Sequence, residues 1–155
     1  MTPVVLRPVQ LAGGDVLHAI FTEPGVRRYL FDDFLLTRVE TDGHVAAAVA
    51  HGAWAIWQDG RIVGLTSLRP MGGERELMIV LSERCWGRGV AFEAARTAMR
   101  HGFDTLRLDR ILATVDLPNG RSHRLMTRLG FVPIGESDGP VSRARNYEAL
   151  RRSGT

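Results

Sequence analysis

Lysine is absent from this chain of 155 residues, and all 20 of its basic residues are arginine. That removes Schiff-base chemistry and any lysine anchor for a pyridoxal group. Cysteine occurs once, as Cys85, so neither an intrachain disulfide nor a Cys-based zinc cage can form. The five histidines, His18, His44, His51, His101 and His123, make no metal-ligand spacing, and no metal is expected. No apolar run approaches the ~20 residues of a membrane-spanning helix, so no membrane partner is expected. Arg7 and Pro8 interrupt the stretch where a secretory signal needs its apolar core. What remains is a chain long enough to bury roughly 70% of its unfolded surface without staples. The expectation is a soluble cytoplasmic protein with one domain over residues 1–150 and a frayed polar tail over 151–155.

The net charge of +3 is too small to argue for a nucleic-acid partner. An all-arginine basic set does suit phosphate groups, because the guanidinium fork matches their oxygens and keeps its proton.

Strands and helices alternate along the chain. Strands are expected at Val4–Arg7, Ala53–Trp57, Ile62–Arg69, Glu74–Leu81, Arg110–Val115, Phe131–Glu136 and Arg143–Leu150. Gln58-Asp59-Gly60 reads as a hairpin turn between the second and third. Helices are expected at Asp15–Phe21 with Asp15 as N-cap, within Glu23–Phe34, and at Thr37–Ala50, Val90 to about Leu106, and Gly120–Leu129. The Val90 helix is the clearest, with Phe92, Ala95, Met99 and Phe103 at helical spacing. This order predicts an α/β fold: one mixed sheet with helices on both faces and a parallel crossover from Glu74 to Val115. On strand parity, Trp54 and Trp57 are expected to divide between core and surface.

Two local patterns bear on chemistry. Arg84-Cys85-Trp86-Gly87-Arg88-Gly89-Val90-Ala91 joins a strand to a helix. Its two glycines let the backbone turn without Cβ atoms in the way, and the helix adds free N–H groups and its positive dipole end. Alone, the loop reads equally as a phosphate site or as an unliganded turn. The second pattern is Asn119-Gly120-Arg121-Ser122 followed by Leu129-Gly130-Phe131. Asn119 fits an N-cap accepting from the Ser122 amide, and Gly130 fits a left-handed C-terminal residue with Phe131 packing back near Met126.

Together, in this order and at this spacing, the two patterns resemble those of the GNAT acetyltransferases. The segment from Glu76 to Phe131 is similar to the RimJ/RimL-like subfamily, which acts on ribosomal-protein N-termini. Arg84-x-x-Gly87-x-Gly89 resembles the family's acyl-CoA pyrophosphate loop. Trp86-Gly87-Arg88-Gly89 with Glu93-Ala94 resembles that subfamily's signature, and Leu6-Arg7-Pro8 and Val26-Arg27-Arg28-Tyr29 fit it more loosely. The resemblance implies a GNAT-like sheet that splays after the fourth strand and admits acetyl-CoA. It implies that the main chain of Val80 and Leu81 pairs with the pantetheine arm. The amides of Trp86, Gly87, Arg88, Gly89, Val90 and Ala91 would hold the pyrophosphate. Arg84, Arg88, Arg121, Arg124 and Arg128 would supply charge for phosphates, with a solvated helix face as the alternative for Arg124 and Arg128.

The implied reaction is direct attack of a primary amine, a protein N-terminus or a small molecule, on the thioester. Glu76 is the implied base, directly or through a water. The tyrosine common in the family is Met126 here, and Ser122 is the implied donor to the departing sulfur because it matches the serine that RimL-like members carry in Asn-x-x-Ser. Asn119 is implied to bind pantetheine or a cleft water. Cys85 has no histidine at a recognisable spacing, and the family needs no covalent intermediate. Asp32 and Asp33, among Tyr29, Phe31 and Phe34, would suit a cationic amine or form a solvated loop. The rival readings are a non-catalytic acyl-CoA-binding module, motivated by Met126, and an RNA-associated basic protein. The assembly state stays open, with a homodimer compatible.

Overall fold

A computed structural model describes residues 2–30, 32–139 and 142–152. Phe31 and the end of the expected tail, 153–155, lie outside the described residues. Among the described residues, five α-helices and seven strands follow one another: β1 (Val5–Pro8), α1 (Gly14–Phe21), α2 (Pro24–Leu30), α3 (Arg38–Ala50), β2 (Trp54–Gln58), β3 (Arg61–Met71), β4 (Glu74–Leu81), α4 (Val90–Asp104), β5 (Arg110–Asp116), α5 (Gly120–Leu129), β6 (Val132–Asp138) and β7 (Arg143–Leu150). The strands form one sheet in the order β1-β2-β3-β4-β5-β7-β6. Every neighbouring pair is antiparallel except β4 and β5.

Local chemistry explains most boundaries. Asp59 and Gly60 take φ values of 53° and 72°, the left-handed pair that a tight hairpin between twisted strands requires. Thr37 and Glu40 form a reciprocal capping box at the start of α3, and those hydrogen bonds from Thr37 hold the Glu40 carboxyl below its ordinary range. Asp15 does not cap α1. Gly13 holds that position, and the Asp15 carboxylate instead meets the Arg38 guanidinium on α3.

Strand alternation divides the core. Leu65 and Val80 face α1, α2 and α3 with Leu17, Phe21 and Val45. Leu68, Leu77, Ile111 and Ala113 face α4 and α5 with Ala95, Ala98 and Met126. Small residues let α4 lie close on the sheet, and a Cβ on Gly102 would come within 2.8 Å of Leu68 Cδ1. Trp54 and Trp57 are both half-buried, one packed on each face, because helices cover both sides. Arg151, expected to fray, is tied down: its amide donates to Asp109 O at 2.8 Å and its guanidinium pairs with the Asp109 side chain. Among the described residues, no helix is long and apolar enough to cross a membrane.

Candidate active site

The parallel pair is where the sheet opens. β4 and β5 are in register only at Glu76 and Leu112, while β5 pairs with β7 along its whole length from Arg110 to Asp116. Beyond Glu76, β4 therefore has β3 on one side and a gap on the other. The gap widens toward the carboxyl ends of the two parallel strands, where ligands enter open α/β sheets.

The register decides which main-chain groups line it. The Ser82 amide donates to Val63 O at 2.8 Å on the β3 side. By alternation, Val80 also turns its N–H and C=O into the β3 ladder, opposite Leu65. Ile79 and Leu81 turn theirs toward the gap, and Leu81 O accepts from Trp86 Nε1 at 2.9 Å. This corrects the expectation for Val80: the open edge consists of the Ile79 main chain and the Leu81 N–H.

The segment Ser82–Gly89 crosses the mouth of the gap. It contains a 3-10 turn at Glu83–Cys85, after which Gly87 and Gly89 take φ values of 73° and 80°. Gly89 is the N-cap of α4, a left-handed position that a β-branched residue strongly resists. The Trp86 amide is spent on Glu83 O at 3.0 Å, so it is not available as expected. The amides of Gly87, Arg88, Gly89, Val90 and Ala91 make no such bond among the described residues. Arg121 lies 3.3 Å above the centre of the Trp86 ring. Burial pulls its guanidinium below the ordinary range, and Tyr29 and Glu83 oppose that pull.

The expected arginine set does not converge on one point. Arg84 and Arg88 line a pocket of about 400 Å³ on the outer side of the segment with Gln58, Asp59 and Arg61. Arg61 was not expected there, because only the β2–β3 hairpin brings it near. Arg128 stacks on Phe92 at 4.4 Å, in the groove between α4 and α5.

Glu76 sits where β4 and β5 still pair and is 4% exposed. Its Oε1 accepts from Arg69 Nε at 2.8 Å and also from Arg69 Nη2, and its Oε2 accepts from Thr114 Oγ1 at 3.0 Å. Thr114 is itself exposed, and its hydroxyl also lies 3.3 Å from Asn146 Oδ1. At the far end of the gap, Asn119 Oδ1 accepts from the Ser122 amide at 3.4 Å, as the cap spacing predicts. The Ser122 hydroxyl makes no hydrogen bond to a described residue. Met126 is 4% exposed and packs in the core. Beside it, His123 Nε2 lies 3.0 Å from Asp116 O and 3.1 Å from Leu117 O. That contact assigns the proton to Nε2 and makes Nδ1 the acceptor for Tyr147 OH at 2.6 Å. Through these contacts the half-buried His123 ties α5 both to the end of β5 and to β7.

Asp116, at the last position of β5, was not singled out by the sequence. Burial pushes its carboxyl above the ordinary range, and the charge of Asp32 adds to the effect. Asp33 pairs with Arg27 at 3.5 Å, whereas neither Asp32 nor Asp116 has a cationic partner among the described residues. Among the described residues, no group of three or more His, Cys, Asp or Glu side chains is placed to hold a metal.

An open strand edge, free amides at a helix start and nearby guanidiniums suit the long arm and diphosphate of acetyl-CoA. Comparison with known proteins agrees. The family model for the Acetyltransferase (GNAT) domain matches residues 4–132. The spermidine N(1)-acetyltransferase of Escherichia coli K12 is 29% identical over 140 residues, covering 86% of this chain and 75% of that one. A GNAT-family acetyltransferase from Bacillus anthracis superposes with a TM-score of 0.86 at 20% identity, covering 97% of both chains. Spermidine N-acetyltransferase from Vibrio cholerae, solved with CoA and spermine, gives 0.80 at 17% identity, covering 96% of this chain and 95% of that one. The chain belongs to the GNAT acetyltransferases and catalyses acetyl-CoA-dependent acetylation of an amine.

Proposed function

We propose that the acceptor is a small, multiply cationic primary amine of the polyamine kind. The observation that carries this reading is an acidic pair at the end of β5: Asp116 lies within reach of the charge of Asp32, and neither has a cationic partner among the described residues. Two such carboxylates favour a second ammonium on the acceptor, held while the first loses its proton and reacts. The Escherichia coli relative, named for spermidine, supports the same class. The RimJ/RimL-like signature around Trp86 would by itself suit a protein N-terminus, but such an acceptor has only the one amine that reacts.

In this reading the Ile79 and Leu81 main chain pairs with the pantetheine arm, and the amides from Gly87 to Ala91 take the pyrophosphate. Arg121 approaches from its stack on Trp86, and Arg84 and Arg88 add charge from the outer side. The amine nitrogen attacks the thioester carbonyl, a C–N bond forms, and the C–S bond breaks. Glu76 takes the amine proton through water and the Thr114 hydroxyl, which hands its own proton to Oε2 and accepts another. Ser122 donates to the departing sulfur. Asn119 positions Ser122 through the cap.

Acetyl-CoA turnover against spermidine, a monoamine and an N-terminal peptide tests the acceptor, with Asp116→Asn alongside. This variant should raise the KM for spermidine about tenfold, leave the monoamine and acetyl-CoA unaffected, and raise the amine-free melting temperature. The sign of the stability change follows from linkage. The folded chain holds the Asp116 proton more tightly than the unfolded chain does. The penalty is therefore absent below the ordinary carboxylate range, grows as pH rises, and is complete above the raised pKa. An acceptor preference for the peptide over spermidine would overturn the reading.

Gly89→Val tests the loop. It puts a β-branched residue at φ 80° and a side chain beside the free amides. CoA affinity should fall at least about tenfold, about 1.4 kcal/mol of binding, apart from the roughly 1–2 kcal/mol that the left-handed backbone costs folding. The unsubstituted protein gains about 2.7 kcal/mol from CoA at 100 times its Kd, a rise of several degrees in Tm. The folded variant, with affinity down at least tenfold, should show about half of that rise or less at the same CoA concentration. Equal affinity would return the loop to a structural turn.

A further inference from the structure

We propose that Glu23 and Glu83 form a two-way latch that makes amine binding depend on the order of the cofactor loop. The inference rests on the reading that Gly87–Ala91 hold acetyl-CoA and that Asp32 and Asp116 face the amine. Glu23 lies between α1 and α2, and its carboxylate reaches the loop. Oε2 accepts from Ser82 Oγ at 2.8 Å, and Oε1 accepts from the Glu83 amide at 2.7 Å. The loop answers in kind, because Glu83 Oε1 accepts from the Gly25 amide. Each carboxylate thus takes a main-chain N–H of the other segment, some 60 residues away in sequence. Charge-assisted bonds of this type are stronger and more directional than neutral ones.

Both ends of the latch continue into the site. Glu23 O receives the amides of Val26 and Arg27, each at 3.0 Å, so the residue that grips the loop also starts α2. From α2, Arg27 O accepts from the Asp33 amide at 3.0 Å and the Arg27 side chain pairs with Asp33, fixing the turn that carries Asp32. On the loop side, Gly25 lies against Trp86, the ring under Arg121. A Cβ on Gly25 would stand 2.7 Å from Trp86 Cη2 and press into the Glu83 carboxylate. Gly25 therefore has to be glycine for packing, in a helix where its φ makes no such demand. A ligand that orders Ser82–Gly89 also fixes the start of α2 and the acidic turn beyond it. By linkage the effect is reciprocal.

Glu23 and Glu83 are positioning residues in this scheme, and the measurement is a coupling factor. Spermidine binding is measured by calorimetry with and without saturating CoA, and CoA binding with and without spermidine. In the unsubstituted protein CoA should tighten spermidine by roughly 5-fold or more, within the usual range of coupled sites. Glu23→Ala should bring that factor close to one and raise the spermidine KM by about the same roughly 5-fold or more that the coupling supplied, with CoA affinity in the absence of amine changed less than about threefold. Glu23→Gln keeps one acceptor oxygen and should fall between. Gly25→Ala displaces Glu83 without touching the Glu23 side chain and should match Glu23→Ala, so the test survives poor folding of either variant. A coupling factor unchanged in the variants would overturn the latch. So would variants that raise both KM values and lower kcat together, the pattern of general loosening. Spermidine turnover without coupling in the unsubstituted protein would defeat the latch alone, whereas failure to bind CoA would defeat the site reading beneath it.

Discussion

Ser122→Ala is expected to keep acetyl-CoA affinity and lose on the order of 10²-fold in kcat. Sulfur gains its negative charge only as the C–S bond breaks, so a donor to it acts mainly in the transition state. Losing such an interaction lowers kcat while ground-state binding persists. A single donor of this type is worth about 10²–10³ in kcat. The fold should tolerate the change. The Ser122 amide, not its hydroxyl, closes the cap with Asn119, and alanine is the best helix former for the first turn of α5. The buried Met126 cannot substitute, and Tyr147 has its hydroxyl on His123. Normal turnover of acetyl-CoA with spermidine in the variant would place the acid elsewhere, with solvent the first alternative. Tight binding of acetyl-CoA with no acetylation of any amine by the unsubstituted protein would leave a binding module.

What the sequence discloses is governed by distance along the chain. β4, α5 and β7 run from Glu74 to Leu81, Gly120 to Leu129 and Arg143 to Leu150, as the residues alone predict, because their signals are apolar runs, caps and turn glycines within a few positions. The Asn119 cap and the left-handed Gly130 are legible for the same reason. Features that need a partner from elsewhere are not. Asp15 has the chemistry of an N-cap, but Arg38, 23 residues away, takes its carboxylate. Strand parity shows that Val80 and Leu81 alternate, but not which of them faces the gap. That was settled by one amide of Ser82 and its partner Val63. Arg61 joins Arg84 and Arg88 only through the hairpin, and Glu23 meets Glu83 only once α2 packs beside β4. The resemblance named the loop and Glu76. It did not name Asp116, whose carboxyl is raised by burial and by the charge of Asp32, far away in the chain.

Glu76→Gln is expected to cost about 10²-fold in kcat with spermidine, at the lower end of what a positioned base contributes. The carboxylate sits at the closed end of the gap, and both of its oxygens are already engaged. In the proposed mechanism a route through Thr114 therefore replaces direct contact with the amine, because among the described residues it is the exposed Thr114 whose hydroxyl bonds Oε2. Gln has nearly the same shape, so Arg69 can keep a neutral acceptor at Oε1, and its half-exposed guanidinium can be compensated by water. Folding and CoA affinity should then change little while turnover falls. The route makes a second demand. Thr114→Val keeps the β-branched shape that suits a strand but removes the only hydroxyl on the path, so it should reproduce most of the loss seen in Glu76→Gln. The double variant should be little worse than either single one, because residues acting as one unit are not additive. Losses that multiply in the double variant would show two separate roles. Full activity in Thr114→Val beside an inactive Glu76→Gln would place the carboxylate in contact with the amine or its water without the threonine.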